Sequence, residues 1–289
     1  MSERFERVTI VGVGLIGGSL GLALCERGLC SRVVGVGHRQ ASMDRALETG
    51  AVHEATLDLA EGVKGADLVV LSTAVSLIGE LGEKAVPYLK AGCIVSDVGS
   101  TKSEVVRRME SRLVGTGVHF VGAHPIAGSE KRGIDVARSD LFVGTVCVLT
   151  PTPATDADAL RQLADLWSAV GARVSTLSPE EHDAVLARTS HLPHLAAVTL
   201  IHMLQGRDTA FVGTGLRDTT RVASGDVDIW CDIILTNREA ILDAMGDFDS
   251  RLSGLRRVVE AGDREGLAAL LAAARERRRD LWPDASPEP

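Results

Sequence analysis

Arg7–Ala23 reads RVTIVGVGLIGGSLGLA, and the fold hangs on this stretch. Val8, Thr9, Ile10 and Val11 are β-branched and suit a short buried strand. Gly12-Val13-Gly14-Leu15-Ile16-Gly17 follows, a GxGxxG pattern, and Leu20, Leu22, Ala23 and Leu24 then continue as a helix. Strand, glycine turn and helix in that order is the setting in which the pattern signifies dinucleotide binding. Gly12 permits the tight turn, Gly14 lets the backbone approach a pyrophosphate, and Gly17 lets the helix pack against the strand. The anion would rest on the leading N–H groups of the helix, those of Leu15 and Ile16 among them, where the helix dipole favours negative charge.

Composition narrows the function classes. The 289 residues suggest one or two domains, 45% hydrophobic and 24% charged. Aromatics are only 3%, too few for a surface that stacks single-stranded bases, and the net charge of −8 disfavours nucleic acid and anionic membranes as partners. The five cysteines (Cys25, Cys30, Cys93, Cys147, Cys231) are scattered, and no pair has metal-ligand spacing. With no signal-peptide pattern in MSERFERV and no apolar run of membrane length, the expectation is a reduced, cytoplasmic protein without a metal.

Outward from the glycine turn, strands and helices alternate. Arg32–Gly37 is a second strand, ending in Gly37-His38-Arg39-Gln40. An acid at this place would bind both ribose hydroxyls and select NAD. None is present, and Arg39, with His38 beside it, faces the position of a 2′-phosphate. NADP is therefore favoured over NAD, against the plainer alternative that Arg39 is a solvated loop residue and both cofactors bind. Further strands are expected at Asp67–Thr73, Cys93–Ser100, His119–Ala123, Thr145–Thr150 and Arg173–Leu177. Helices are expected at Ser42–Thr49, Ile78–Leu89, from Thr101 onward and at Asp156–Val170. Ser72, Thr73 and Ser100 close their strands and should lie near the cofactor. The alternation predicts a mostly parallel α/β sheet covered on both faces.

From Ser178 the strand-like runs stop. Ser178-Pro179-Glu180-Glu181 is a helix start, with a capping Ser, Pro in the first turn and acids at the positive end. Helical stretches follow at Glu180–Leu204, Leu216–Ala223, Asp226–Gly262 with interruptions, and Arg264–Leu281. The domains expected are 5–177, dinucleotide-binding, and 178–283, all-helical. The long apolar helix faces of the second suggest pairing in a homodimer.

His124 has the best claim as a catalyst, since it ends a strand before Pro125 and imidazole exchanges a proton near neutrality. Ser103 follows another strand end and could orient that His or a reacting hydroxyl, or merely cap the next helix. Ser190 and His194 are four apart, with Pro193 expected to disturb the helix between them. Asp218 and Arg221 lie three apart. Either they form a surface ion pair, or Arg221 grips a substrate carboxylate while Asp218 holds it. His191 and His194 have no carboxylate at metal-site spacing.

In these residues the chain resembles the prephenate/arogenate dehydrogenase family of tyrosine biosynthesis. The matching segments, in order, are Gly12–Leu20, DVGSTKS at Asp97–Ser103, HPIAGSEKRG at His124–Gly133, TSHLPH at Thr189–His194 and GLRDTTRVA at Gly215–Ala223, with Trp230 and Asn237-Arg238-Glu239 beyond. The resemblance implies a Rossmann-type domain followed by an all-α dimerisation domain like the C-terminal part of 6-phosphogluconate dehydrogenase. It implies oxidative decarboxylation: hydride leaves C4 of a cyclohexadienol for nicotinamide, the ring carboxylate leaves as CO2, and no metal is needed. His124 would take the 4-hydroxyl proton and Ser103 would bond the same region. Arg221 would bind a carboxylate, Ser190 and His194 would complete the polar wall, and Ser129 and Glu130 would contact substrate, Glu130 tuning the site. The C-terminal regulatory domain of some members is expected to be absent. Prephenate, arogenate and an amino-substituted prephenate are not separated by these motifs. Rival readings are another dehydrogenase of the β-hydroxyacid type and a regulator that binds NADP(H) without turnover.

Overall fold

The structure is a computed structural model that describes residues 5–128 and 131–282. Its first element is the strand β1 (Phe5–Val11), which runs through the glycine turn into the helix α1 (Leu15–Glu26). Alternation continues with β2 (Cys30–Val36), α2 (Gln40–Glu48), β3 (Glu54–Thr56), α3 (Leu59–Val63), β4 (Leu68–Leu71), α4 (Val75–Ala85), β5 (Ile94–Asp97), α5 (Ser103–Leu113) and β6 (His119–Pro125). Then come β7 (Val146–Thr150), α6 (Ala157–Ala169) and β8 (Arg173–Thr176). The eight strands form one sheet in the order β3-β2-β1-β4-β5-β6-β7-β8. Only the β6–β7 pair is antiparallel. The chain leaves β1 toward β2 on one side and returns to β4 on the other, so the sheet's switch point falls between β1 and β4.

The strands are buried on both faces, as parallel sheets require. On β4, Leu68 and Val70 join a core with Val8, Ile10, Leu20, Leu24, Phe142 and Trp167. Val69 and Leu71 point the other way, into a core with Val11, Ile78, Met109 and Phe120. β3 and α3 were not foreseen. Three and five residues long, they are too short to show a period. Asp58 starts α3 by accepting from the N–H groups of Ala60 and Glu61.

Helices follow β8: α7 (Pro179–Leu186), α8 (Leu192–His202), α9 (Thr214–Thr220), α10 (Val227–Thr236), α11 (Arg238–Glu260) and α12 (Arg264–Leu281). Ser178 and Glu181 make the reciprocal cap expected at the start of α7, at 3.1 and 2.9 Å. The expected single helix over 180–204 carries one wide π-type turn, Ala187–His191, just ahead of Pro193. A proline ring cannot sit against the carbonyl four residues back in a regular helix, and the widened turn makes room for it.

Backbone contacts divide the chain into two units, Met1–Ile241 and Leu242–Pro289. This division and the change of composition near Leu177 fall at different places, because α7 is bonded to the start of α5 through Asp183, and α10 to Ser76 and Thr101 through Asp232 and Thr236. In the second unit Leu242, Met245, Leu252, Leu255 and Val259 recur at helical spacing along α11, and all are exposed. No helix among the described residues is long and apolar enough to cross a membrane.

Candidate active site

At Gly12 and Gly17 the glycine turn is shaped by contacts that exclude any larger residue. Gly12 has φ +96°, and a Cβ there would lie 2.4 Å from the Ser72 carbonyl oxygen at the end of β4. A Cβ on Gly17 would lie 2.1 Å from the Gly12 carbonyl oxygen. Around Gly14 there is open space, and α1 begins without a side-chain cap. The leading N–H groups of Leu15, Ile16 and Gly17 are thus without a side-chain cap, as an anion site requires. Ser72 and Thr73 follow β4, Ser100 follows β5, and exposed His38 and Arg39 follow β2. All lie at the carboxyl ends of parallel strands, where open α/β sheets hold their ligands. Arg39 has no ion-pair partner among the described residues.

His124 lies near the end of β6, opposite Val148 of β7. Its Nδ1 is 2.9 Å from Nε2 of His182 on α7, and Nδ1 of His182 is 2.8 Å from Oδ1 of Asp183. The Asp183 carboxylate also accepts from the backbone N–H groups of Lys102 and Ser103, each at 2.8 Å, and so caps α5 from a different helix. Burial works to raise the Asp183 pKa. The bonds from His182, from the Ser103 side chain and from the two backbone N–H groups outweigh it and hold the carboxyl below its usual range. His124 is driven well below the ordinary imidazole value, by burial first and then by electrostatic interaction with His182, Lys102 and His191. It is a neutral imidazole at physiological pH.

Beneath it, Lys102 and Asp97 form a fully buried ion pair. Asp97 also accepts from the N–H groups of Gly99 and Ala123, at 2.8 and 3.2 Å. That one carboxylate ties the β5–α5 loop to β6 beside His124. The network runs on through Asn237, whose amide donates to the Asp183 carbonyl oxygen and to Nδ1 of His191, at 2.9 and 3.0 Å. Burial is the main cause that lowers the His191 pKa to about 4. Trp230 meets His191 edge-on, with ring centroids 6.2 Å apart, and stacks flat on His194 at 3.5 Å.

Ser103 and His124 are thus brought together through Asp183 and His182. Ser103 is the first helical residue of α5, and its side chain bonds the Asp183 carboxylate. Ser190 lies half-buried in the wide turn and His194 is buried on α8, its Nδ1 without a partner. Arg221 is exposed on the short turn after α9. Asp218 does not hold it: the Asp218 carboxylate faces the guanidinium of neighbouring Arg217 at 3.5 Å, with both side chains exposed. Arg221 lies past the end of α9, in the tighter turn that follows, while Arg217 is adjacent to Asp218 in sequence. Ser129 and Glu130 lie outside the described residues. Among the described residues no group of three or more His, Cys, Asp or Glu could hold a metal ion.

His182, Asp183, Lys102, Asp97 and Asn237 were missed as site residues. A signal for two of them was present: Pro179, His182, Asp183 and Leu186 are the buried positions of α7, spaced i, i+3, i+4, i+7. A His-Asp pair on an apolar stripe is a pair that must find partners inside the fold.

Comparison with known proteins decides the family. Residues 20–176 match the prephenate dehydrogenase nucleotide-binding domain, and residues 178–273 match the prephenate dehydrogenase dimerization domain. The chain belongs to the prephenate dehydrogenase family. Relatives in this family include the prephenate dehydrogenase of Bacillus subtilis, 33% identical over 97% of this chain and 77% of its own length. The cyclohexadienyl dehydrogenase of Zymomonas mobilis is 33% identical over 97% of both chains. The crystal structure of Aquifex aeolicus prephenate dehydrogenase, in complex with hydroxyphenyl propionate and NAD+, is 33% identical. It superposes with a TM-score of 0.90 over 97% of this chain and all of its own. As a member of the prephenate dehydrogenase family, the chain carries that family's nucleotide-binding domain, whose matched part begins within α1, just after the glycine turn.

Proposed function

We propose that this chain catalyses the NAD(P)-dependent oxidative decarboxylation of prephenate to 4-hydroxyphenylpyruvate, of arogenate to tyrosine, or of both. The observation that carries the reading is His124. It is a neutral imidazole at the carboxyl edge of the sheet that also bears the uncapped α1 N-terminus. The family membership and the relatives' substrates support it.

Residues 5–177 would carry the dinucleotide and residues 178–283 the substrate wall and the dimer contact. Gly12, Gly14, Gly17 and the start of α1 would hold the pyrophosphate, with Ser72, Thr73 and Ser100 beside it. A bound nicotinamide supplies the acceptor for the hydride from C4. His124 takes the 4-hydroxyl proton as the C4–O bond gains carbonyl character. It returns the proton to that oxygen as CO2 departs and the ring becomes aromatic, so the imidazole ends as it began. Ser103 bonds the same hydroxyl region. Arg221, Ser190 and His194 bind a carboxylate, a charge match that Arg meets in bidentate geometry. Ser129 and Glu130 contact substrate. Exposed Arg39 favours NADP over NAD, and the apolar stripe of α11 is the face of a homodimer. The setting is the cytoplasm.

The test is the initial rate of reduced-nicotinamide formation by the purified protein. Prephenate and arogenate are each offered with NAD and with NADP. Turnover of at least one pair is expected, faster with NADP. No turnover of any pair overturns the assignment.

A further inference from the structure

We propose that His182 and Asp183 are positioning residues that fix the tautomer of His124, leaving its Nε2 lone pair bare toward the substrate. The inference rests on the dehydrogenase reading above and names how that site is set. Asp183 is ionised and can only accept, so the 2.8 Å contact requires the hydrogen on Nδ1 of His182. With its one ring hydrogen on Nδ1, His182 offers a lone pair at Nε2. The 2.9 Å contact with Nδ1 of His124 therefore requires the hydrogen on that Nδ1. Only Nε2 of His124 remains, without its hydrogen, and this is the form that a proton acceptor needs.

The same chain can hold the proton while it is off the substrate. When His124 gains a proton at Nε2, its Nδ1 hydrogen can pass to Nε2 of His182, and the positive charge then sits against the Asp183 carboxylate. On return, each hydrogen moves back along the same bonds, and nothing is oxidised or consumed. The charged and titratable groups around this pair are His124 on β6, Lys102 ahead of α5, and His191 in the wide turn. Asp183 is itself fixed by two backbone N–H groups of α5, so the geometry of His182 is built on a helix end and not on a flexible side chain.

Two measurements test the proposal. The first is nitrogen NMR of the wild-type protein labelled in its histidines, with the His124 signals assigned by their loss in His124→Asn. Near neutral pH the proposal expects a protonated Nδ1 and a bare Nε2 on His124. A hydrogen on Nε2 overturns it. The second compares His182→Leu, which offers no acceptor, with His182→Gln, whose amide oxygen still accepts from Nδ1 of His124. His182→Leu should lower kcat by roughly 100-fold or more, within the span of wrong-tautomer losses, with KM changed less than about threefold. His182→Gln should recover at least about tenfold of that loss. Equal rates in the two variants, whether both near wild type or both silent, overturn the proposal. Failure of the wild-type protein to turn over either substrate would instead sink the dehydrogenase reading, and the imidazole spectrum would still decide the tautomer.

Discussion

The glycine turn after β1 and the polar cluster behind His124 are built in opposite ways. The turn is local and made of backbone: six consecutive residues, Gly12 to Gly17, whose three glycines leave room for a ligand and for Ser72. The cluster is distant in sequence and made of side chains, drawing Asp97, Lys102, His124, His182, Asp183, His191 and Asn237 together. The turn binds by what it lacks. The cluster works by satisfying every buried polar group that it has, since a half-paired network would cost more than an apolar core.

The difference can be pressed by mutation. Lys102→Met strikes the cluster at its most buried point, leaving the Asp97 carboxylate without its cation. A loss of about 3–5 kcal/mol is expected, read from the midpoint of chemical denaturation. A change below about 1 kcal/mol would mean that the pair contributes little to the fold. Gly17→Ala strikes the turn. Its Cβ would meet the Gly12 carbonyl oxygen, so the turn must open, at about 1–3 kcal/mol. Dinucleotide affinity should fall at least roughly tenfold, measured by fluorescence titration. Unchanged affinity would break the account of the turn.

Acid should act on the cluster and spare the turn. His191 has its pKa lowered from about 6.5 in the unfolded chain to about 4 in the fold. Between these values the unfolded chain binds the extra proton, so stability is full above about pH 6.5 and falls as pH drops toward 4. The expected loss is about 3 kcal/mol, seen as a falling melting temperature between these two values. His191→Gln should flatten that slope, and a slope that survives the change assigns it elsewhere. The smallest effect concerns the rim of the turn. Arg39→Ala should raise KM for NADP by roughly tenfold and leave KM for NAD nearly unchanged, because only a 2′-phosphate offers the guanidinium a charge. Equal effects on both cofactors would remove the preference.

The same contrast governs how much was legible in the sequence. A local motif carries its own context, so the strand, the turn and α1 could be read from Arg7–Ala23, and the alternation that follows predicted the mostly parallel sheet. His124 and Ser103 could be named because each follows an apolar strand run. Their connection could not be read. His182 and Asp183 lie in PEEHDAVL, where a charged helix start hides a buried stripe, and only the packing of α7 on α5 and β6 shows that the pair faces inward. The partner of Asp218 was hidden for the opposite reason. Spacing alone set it against Arg221, while adjacent Arg217 offered a nearer guanidinium.

The central claim is that His124 drives an oxidative decarboxylation. The most direct measurement is the ratio of CO2 released to nicotinamide reduced, with prephenate and NADP, in the wild-type protein and in His124→Asn. The account predicts one CO2 per reduced nicotinamide in the wild type. In the variant both rates should fall together by about 10²–10⁴-fold while dinucleotide affinity is retained. Nicotinamide reduced without CO2, or a variant as fast as the wild type, would contradict it.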